Sequence, residues 1–371
     1  MSLVAQEPAF LAWLGAPAKY GLALPDADPT ACHMYCPRGV WIDDEIIAVV
    51  DSGNHRILIW RREPGQMPQN HSDANLVIGQ PDFQSEGPKL FHLPTGIIRV
   101  ADMLLVADAW HHRILGFKDI LSHCKKGSLD IEPSLCLGQP DMDSIDPNSG
   151  GEVAADSLYW PYGIAYVNQR LYVADTGNRR VLFWHGLPDG HRPADGVIGQ
   201  DDFFSHEENR GAIDGRSFRW AHDMAGDENK LFIADAGNHR VLAWAEGYAM
   251  TGSQANLVLG QKAFDTSDEF PYSKQDATKM RFPYGICHSG NTLAVADTAN
   301  NRVLLFDQLP DSGVAPAATR VIGQPDFEAN GENNWKAVNE TSLCWPYGLH
   351  LHGDLLAIAD SGNNRVMLWR V

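Results

Sequence analysis

The stretch VADTGNRRVLFW, residues 173–184, consists of two apolar runs joined by a short polar connection. The same pattern, Asp-x-x-Asn-x-Arg, recurs along the chain, at Asp51/Asn54/Arg56, Asp175/Asn178/Arg180, Asp235/Asn238/Arg240, Asp297/Asn300/Arg302 and Asp360/Asn363/Arg365. A sixth copy begins at Asp108, with His111 in the Asn position and Arg113 in the Arg position. The leading aspartates are 57, 67, 60, 62 and 63 residues apart. This period is longer than a solenoid unit of about 20 to 45 residues, and it fits a four-stranded propeller blade.

Each copy of the pattern lies between two apolar runs, so it predicts the connection of a hairpin. Asp and Asn can bond to nearby backbone groups, and glycine supplies positive φ where a Cβ would clash. We expect that role for the glycines that follow the leading Asp, which are Gly53, Gly177, Gly237 and Gly362. The planar fork of the Arg can bridge loop carbonyls or the Asp. Because the pattern occurs in every unit, it indicates a structural role.

Two further markers recur in the same unit. One is P-x-G before an aliphatic residue, at residues 37–39, 94–96, 161–163, 283–285 and 346–348, with WAHDM at residues 220–224 in the remaining position. The other is GQPDF or a close relative, starting at Gly79, Gly138, Gly199, Gly260 and Gly323. Each unit therefore predicts four strands: A after P-x-G, B ending at the Asp, C after the Arg, and D ending at Gly-Gln.

The two ends of the chain predict how the ring closes. The last unit stops after strand C, at VMLWRV, whereas LVAQEPAF at residues 3–10 aligns with LVIGQPDF at residues 76–83. We expect this first strand to complete the last blade, which removes an exposed sheet edge. The sequence thus predicts an all-β fold: a six-bladed β-propeller of four-stranded antiparallel blades, with residues 1–371 as a single domain.

The phrases VADTGNRRV and IADSGNNRV, preceded by WPYGI and WPYGL, resemble NHL repeats. The resemblance covers essentially the whole chain, and the six copies are similar to the six-bladed NHL propellers. It implies the fold but no one function, because that family includes interaction modules, RNA binders and a lyase.

Composition narrows the function classes. The chain has 371 residues, of which 44% are hydrophobic and 20% charged, as in ordinary globular proteins. It is acidic, with 29 basic and 47 acidic side chains and a net charge of −18, which disfavours generic binding to nucleic acids and anionic membranes. We find no signal-peptide pattern and no apolar run near the roughly 18 to 20 residues of a membrane span, and we expect a soluble cytoplasmic protein. A leader removed from the sequence stays an open alternative.

Six irregularly placed cysteines indicate free thiols.

The variable residue of P-x-G begins the innermost strand of each blade, near the mouth of the central channel. Around the ring these residues are Arg38, Thr95, Tyr162, His222, Tyr284 and Tyr347. Together with Asp223 they would form a polar, partly aromatic cup that binds a small molecule or a protein partner. The alternative is that the tyrosines only plug the mouth, stacked against Trp160, Phe282 and Trp345.

The fourth blade departs most from the pattern, with an imidazole and a carboxylate at His222 and Asp223. His222 is the best candidate for a catalytic base or metal ligand, with Asp223 orienting it. Drift in one blade, with His222 bonded to a loop, is the alternative. The chain also resembles the peptidyl-hydroxyglycine amidating lyase propeller, where zinc-binding histidines follow a proline at the start of inner strands. Here only His222 takes such a position, whereas a catalytic zinc takes three protein ligands.

We therefore expect an interaction or ligand-binding propeller that uses the upper face around the channel mouth, and no enzymatic activity. The alternative is a metal-dependent lyase or hydrolase in the same cup, with Arg38 holding an anion and a Tyr as acid or base. We find no GxSxG, no GxxxxGK[ST] and no HExxH motif. RNA binding is a third hypothesis. It needs a local basic patch, for which the candidates are Arg38, Arg210, Arg216, Arg219 and Arg281.

Other clusters suggest metal sites more weakly. Cys287 and His350 occupy equivalent positions in adjacent blades, and His352 lies two residues beyond His350 on the same strand. They could offer ligands to one soft ion, but a buried thiol and ordinary strand histidines explain them as well. Cys32 and Cys36 flank His33 at an unusual metal-site spacing, without a second ligand pair nearby. The Trp110-His111-His112 run indicates a partner contact or one irregular turn.

Overall fold

The computed structural model describes residues 7–15, 28–63, 65–126, 131–245, 248–269 and 274–371. The strands within these ranges form six sheets, one for each predicted blade. β1 (Ala9–Gly15) precedes blade 1, which contains β2 (Gly39–Ile42), β3 (Ile46–Asp51), β4 (Arg56–Arg61) and β5 (Leu76–Ile78). Blade 2 contains β6 (Ile97–Val100), β7 (Met103–Asp108), β8 (Arg113–Phe117) and β9 (Leu135–Leu137), with helix α1 (Ile120–Lys126) between the last two strands. Blade 3 contains β10 (Pro161–Val167), β11 (Arg170–Asp175), β12 (Arg180–His185) and β13 (Gly196–Ile198).

Blade 4 contains β14 (Ala221–Gly226), β15 (Leu231–Asp235), β16 (Arg240–Trp244) and β17 (Leu257–Leu259). Blade 5 contains β18 (Pro283–Ser289), β19 (Thr292–Asp297) and β20 (Arg302–Phe306), then the short β21 (Gly313–Val314), and β22 (Arg320–Ile322). Blade 6 contains β23 (Pro346–His352), β24 (Leu355–Asp360) and β25 (Arg365–Arg370). The strands of each blade pair antiparallel in chain order. The exception is β21, which leaves its own blade and adds a fifth, parallel strand to blade 4 beside β17.

The first strand closes the ring, as the sequence predicts. β1 pairs antiparallel with β25, from Ala9 opposite Arg370 to Gly15 opposite Arg365. The paired segment starts later than the expected stretch at residues 3–10, of which residues 3–6 lie outside the described residues. The sequence counterpart of Ile78-Gly79-Gln80-Pro81 is therefore Leu14-Gly15-Ala16-Pro17. The backbone agrees, because φ is +100° at Gly15 and +94° at Gly79.

The hydrophobic cores lie between the blades. One core joins Ile57 and Ile59 of blade 1 to Leu104 and Val106 of blade 2, and similar cores repeat around the ring. A blade packed on both faces needs apolar side chains on both sides of its central strands. The second strands accordingly read as continuous buried runs, such as TLAVAD in β19.

The glycine of P-x-G lets the inner strands of neighbouring blades approach closely. A Cβ on Gly285 would lie 2.0 Å from the carbonyl oxygen of Tyr347 in the next blade. A Cβ on Gly163 would lie 2.3 Å from that of His222. No side chain fits at such distances, which explains why glycine recurs there. Asp223 replaces this glycine in blade 4, so the contact between blades 4 and 5 differs from the others.

The Asp-x-x-Asn-x-Arg pattern forms a single turn of 3₁₀ helix between strands B and C. The expectation of positive φ at Gly53, Gly177, Gly237 and Gly362 is wrong. These glycines lie inside the turn, where a Cβ would collide with the preceding loop; at Gly53 it would lie 2.5 Å from the Tyr35 ring. The left-handed residue is the one after the Asn, with φ between 53° and 58° at His55, His112, Arg179, His239, Asn301 and Asn364.

The Asp and Arg of each turn form a buried ion pair that ties the loops together. In blade 4, the guanidinium of Arg240 donates Nε–H to Asp235 at 2.9 Å. Its other nitrogens donate to the carbonyl oxygens of Phe264, Asp214 and Ser217, at 2.5, 3.0 and 2.8 Å. The side chains of Arg240 and Asp235 are fully buried. The predicted structural role of the motif is thus confirmed.

The sixth copy keeps this arrangement with a different donor. The imidazole Nδ1 of His111 lies 2.9 Å from a carboxylate oxygen of Asp108, where the other blades place an Asn amide. Arg113 bonds to the same oxygen at 2.9 Å. Among the described helices, none is long and apolar enough to cross a bilayer.

Candidate functional site

Hydrogen bonds between adjacent blades position the start of each inner strand. In five of the six turns, the left-handed residue accepts a bond from the backbone N–H just before the next P-x-G, at 2.9–3.2 Å. The five pairs are His55 with Leu93, His112 with Trp160, His239 with Phe282, Asn301 with Trp345, and Asn364 with Cys36. Each donor residue has positive φ, between 46° and 52°. These bonds hold the backbone of five P-x-G segments in one conformation.

The junction of blades 3 and 4 lacks this bond, because Arg179 replaces the His or Asn and Trp220 has a different backbone conformation. Arg179 has no acceptor atom in its side chain, and its guanidinium instead donates to the carbonyl of His206 at 3.3 Å. The N–H of Trp220 donates to Asp235 in its own blade at 3.2 Å. Trp220 is followed by Ala221 rather than proline, and it is absent from the residues with positive φ. The irregular WAHD segment therefore accompanies a different junction between blades 3 and 4, a contact that the sequence analysis did not predict.

The six predicted cup residues, called the mouth ring below, do converge on the channel mouth. They are Arg38, Thr95, Tyr162, His222, Tyr284 and Tyr347. The rings of Tyr284 and Tyr347 stack with centroids 4.9 Å apart and planes at 14°. The imidazole of His222 lies 4.5 Å from the Tyr284 ring and 4.4 Å from the Tyr162 ring. Arg38 completes the circle, since it donates to the Tyr162 hydroxyl at 3.2 Å and lies 4.8 Å over the Tyr347 ring.

These contacts fill the mouth rather than leave it open. Tyr162, His222 and Thr95 are 5%, 3% and 2% exposed, and the Thr95 hydroxyl donates to the Tyr162 carbonyl at 2.9 Å. Arg38, Tyr284 and Tyr347 are half-buried and reach solvent. Trp160 stacks edge-on against Tyr162, with centroids 6.3 Å apart. The mouth ring is therefore convergent and polar, and its side chains also plug the channel.

Burial fixes the charge state of the ring. It lowers the pKa of His222 to about 3, and Nδ1 of this imidazole donates to the Trp220 carbonyl at 3.2 Å. The Nε2 atom is therefore the acceptor of a neutral ring. Burial also raises the pKa of Tyr284 to about 12. The neighbouring Tyr162 raises the pKa of Arg38 above the ordinary range. The six side chains of the mouth ring therefore carry one positive charge at neutral pH, on Arg38.

A cavity of about 190 Å³ occupies the channel beneath the ring, and Asp223, Cys287 and His350 are among the residues that line it. The Asp223 carboxylate accepts N–H bonds from Met224 and Ile286 at 2.9 and 3.1 Å. Burial nevertheless raises its pKa to about 7. Asp223 does not bond to the His222 ring, whose Nδ1 is taken by Trp220. The predicted orienting role of this carboxylate is therefore wrong.

The strand residues proposed as soft-metal ligands have separate contacts. The Nδ1 atom of His350 accepts the Ile42 N–H at 3.2 Å, and its ring stacks on Trp41 at 3.9 Å. His352 pairs with Asp44 at 3.3 Å. Burial raises the pKa of the Cys287 thiol well above its usual value. Within the described ranges, neither these residues nor His222 belong to a group of three side chains placed to hold a metal.

The described residues do contain one such group, which sequence reasoning missed. The potential ligand atoms of Cys32, His33 and His71 all lie within 4.8 Å of one another. The sequence showed the first two residues, but His71 arrives from the connection between β4 and β5. The sequence did contain a signal for His71. In blades 1 and 3, the connection between the third and fourth strands contains a histidine five residues before the fourth strand.

The upper face, formed by the turns between strands B and C and the connections that lead into each strand A, displays exposed apolar side chains. Of the eleven large apolar residues exposed among those described, eight lie there: Tyr35, Trp110, Met142, Ile145, Tyr159, Phe204, Trp335 and Trp345. Trp335 and Phe204 are 81% and 70% exposed. Trp110 is 52% exposed, whereas His111 beside it belongs to the buried turn.

The same face is predominantly acidic. The five connections at residues 79–95, 138–160, 199–220, 260–282 and 323–345 contain 20 Asp and Glu side chains and 9 Lys and Arg side chains. Of the five arginines proposed for an RNA-binding patch, all except Arg38 face acids. Arg216 lies 2.8 Å from Asp214, and Arg281 lies 2.7 Å from Glu269. Arg210 and Arg219 pair with Asp201 and Glu208 in the same way.

Comparisons with known proteins give the following similarities. No protein-family model matches the sequence. The chain is 24% identical over 358 residues to NHL repeat-containing protein 2 of Gallus gallus, which covers 89% of this chain. The chain spans about half the length of that relative, 46%.

Two solved structures illustrate the structural neighbours. Virginiamycin B lyase from Staphylococcus aureus is 12% identical, covers 95% of this chain and 97% of its own, and has a TM-score of 0.47. The PQQ-bound aldose sugar dehydrogenase from Streptomyces coelicolor is 14% identical, covers 96% and 99%, and has a TM-score of 0.49. The chain is thus a six-bladed β-propeller, and its sequence is similar to that of an NHL repeat-containing protein.

Proposed function

We propose that this propeller is a rigid protein-binding module and that its upper face docks a partner with basic and apolar side chains. The observation that carries the proposal is the distribution of exposed apolar groups, because eight of the eleven among the described residues lie on that face. Exposed apolar side chains concentrated on one face of a rigid frame are typical of protein-interaction surfaces. The remaining three, Tyr166, Met250 and Val314, lie away from it.

Charge supports the same partner chemistry. The connection at residues 138–160 has five acidic side chains and no basic one, and it also contains the exposed Met142, Ile145 and Tyr159. A partner surface of Lys or Arg mixed with apolar residues would complement it and would associate faster at low salt. The exposed Trp110 and Phe204 lie on the flanking turn and connection. We therefore place the centre of the docking surface over blades 2 to 4.

A protein partner is favoured over a small molecule by the size of the channel. Ligand pockets for drug-sized molecules usually enclose about 300 to 1,000 Å³, whereas the cavity beneath the mouth ring encloses about 190 Å³. The ring side chains also contact one another across the opening. In this proposal the ring supports the centre of the face, and the half-buried Arg38, Tyr284 and Tyr347 contribute their exposed edges.

The test compares two matched surface variants in quantitative capture experiments from the native host. The upper-face variant carries Trp110→Ala, Tyr159→Ala and Phe204→Ser. The control carries Tyr166→Ala and Met250→Ala, two exposed apolar residues away from that face. We expect proteins retained by the wild type and by the control to be lost from the upper-face variant, and their retention to fall with added salt. Equal retention by all three proteins would contradict the proposal.

A photo-crosslinking residue at position 204 provides the second measurement. Phe204 is 70% exposed, so a modified aromatic side chain fits there without repacking the core. We expect it to crosslink to the retained protein, at a peptide that contains Lys or Arg. Crosslinking from position 166 and not from 204 would place the interface on another face.

A further inference from the structure

Cys32, His33 and His71 form a cluster at the junction where the ring closes. The connection from β1 into blade 1 contributes Cys32 and His33, and the connection between β4 and β5 contributes His71. The backbone N–H of His71 donates to the Trp13 carbonyl of β1 at 3.1 Å. The cluster thus touches the closing strand as well as the first blade.

The two ligand residues from the first connection are held in a fixed turn. The Thr30 hydroxyl accepts the backbone N–H groups of Cys32 and His33, at 3.3 and 2.9 Å. The buried Arg56 donates to the carbonyls of Thr30 and His33, both at 2.9 Å. Because the repeat motif itself anchors the turn, the positions of the thiol and the imidazole are set by the frame of the blade.

The third residue has the orientation that metal-binding histidines usually have. Nδ1 of His71 donates to the carbonyl of Gly15 in β1. In the neutral imidazole this bond leaves Nε2 as the acceptor, and Nε2 is the atom that faces Cys32 Sγ, at 3.9 Å. A histidine that binds a metal typically donates its other ring N–H to a carbonyl or carboxylate in this way.

The distances suit a tetrahedral ion of zinc type. Zinc binds sulfur at about 2.3 Å and nitrogen at about 2.0–2.1 Å, so two such ligands lie about 3.6 Å apart. The Cys32 and His71 atoms are 3.9 Å apart, and all three ligand atoms lie within 4.8 Å of one another. Small side-chain rotations would bring them to bonding distance. Thiolate and imidazole are the ligands that soft and borderline ions prefer.

Blade 3 offers an internal comparison. The turn at residues 154–157 is equivalent to residues 30–33, because Arg180 bonds to the carbonyls of Ala154 and Ser157 as Arg56 does in blade 1. His191 is equivalent to His71, and its Nε2 lies 3.7 Å from a carboxylate oxygen of Asp156. In blade 3 the histidine thus meets an ordinary ion-pair partner. In blade 1 the equivalent residue, His71, faces the thiol of Cys32 and the imidazole of His33 instead of a carboxylate.

We propose that Cys32, His33 and His71 bind one zinc-type divalent ion, with a fourth coordination position left to water or another group. Because the site joins blade 1 to its loop and His71 contacts the closing strand, the ion would stabilise the closure of the ring. The proposal is independent of the upper-face function.

The experiment measures zinc binding by chelator-treated protein after dialysis against zinc sulfate, with elemental analysis of the metal retained. We expect about one equivalent for the wild type and less than about a tenth of an equivalent for Cys32→Ser and for His71→Gln. The controls are Cys36→Ser, four residues from Cys32, and His191→Gln, in the equivalent place of blade 3. Both controls should retain the ion.

Two further measurements separate loss of the site from loss of the fold. Cobalt(II) should give a thiolate-to-metal charge-transfer band in the wild type and in Cys36→Ser, and none in Cys32→Ser. Zinc should raise the Tm of the wild type and leave that of Cys32→Ser unchanged, while the metal-free circular dichroism of both proteins is the same. Less than a tenth of an equivalent in folded wild type, or equal binding by Cys32→Ser, would overturn the proposal.

Discussion

Replacing Arg240 by methionine tests whether the repeated ion pair supports the blades. The guanidinium makes four hydrogen bonds: one to Asp235 and three to the carbonyls of Phe264, Asp214 and Ser217. Methionine fills part of the same volume but donates nothing. The variant leaves a buried carboxylate without its cation and removes the guanidinium donor from three carbonyls, and breaking one partner of a buried ion pair usually costs about 3–5 kcal/mol.

This loss of unfolding free energy should appear as a moderate change in Tm. Unfolding entropy amounts to roughly 2.1 cal/mol/K per residue, or about 0.8 kcal/mol/K for a chain of this length that unfolds as one unit. A loss of 3–5 kcal/mol therefore lowers Tm by about 4–6 °C. Urea unfolding followed by circular dichroism measures the free energy, and calorimetry measures Tm.

A matched control is available at an exposed ion pair. Arg192 lies 3.0 Å from Asp195, and both side chains are about one-third exposed. Arg192→Met should cost about 0–1 kcal/mol, because water screens such pairs. In the double variant Asp235→Asn/Arg240→Met the loss should be smaller than the sum of the two single losses, since no charge stays buried. If Arg240→Met cost no more than Arg192→Met, the structural account of the motif would be refuted.

Two other predictions concern the channel. Burial raises the pKa of Asp223 to about 7, so the folded protein keeps a proton that the unfolded chain releases above about pH 4. The unfolding free energy of the wild type, relative to Asp223→Asn, should therefore be constant below about pH 4 and fall as the pH rises to about 7; a difference that is flat in urea unfolding from pH 4 to 8 would contradict this. Replacing Tyr284 and Tyr347 together by alanine removes their mutual stacking, the contacts of Tyr284 with Tyr162 and His222, and the cation–π contact of Tyr347 with Arg38. The double variant should therefore lower the unfolding free energy by at least about 1–3 kcal/mol. The same double variant should also weaken partner capture, and unchanged capture would exclude these rings from the docking surface.

The architecture could be predicted because the repeated residues do the same work in every blade. The Asp and Arg of the motif satisfy each other and the surrounding carbonyls at each copy, and a spacing near 60 residues leaves room for four strands. Finer geometry was less accessible. Gly53 suggested a left-handed residue, but the left-handed position is His55, because the turn is a 3₁₀ helix and not a two-residue hairpin turn.

The candidate site was predicted only where one residue per blade points to a common axis. The mouth ring follows from symmetry, so its six members could be named from the P-x-G positions. Symmetry does not predict contacts between connections that differ in sequence and length from blade to blade. His71 reaches Cys32 through a long connection of blade 1, a contact between residues 39 positions apart that no local pattern encodes. The environment of Asp223 was equally hidden, because it depends on the backbone of blade 5.

The junction between blades 3 and 4 makes the six blade junctions of the propeller non-equivalent. At five of the six junctions, a left-handed His or Asn accepts the same bond from a backbone N–H of the next blade. If all six junctions were identical, a partner could bind in six equivalent orientations. Arg179 and Trp220 make the junction of blades 3 and 4 unlike the other five. This difference removes the sixfold equivalence of the junctions, so it distinguishes one orientation of a bound partner from the others. The differing junction lies beneath blades 3 and 4, within the docking surface that we propose.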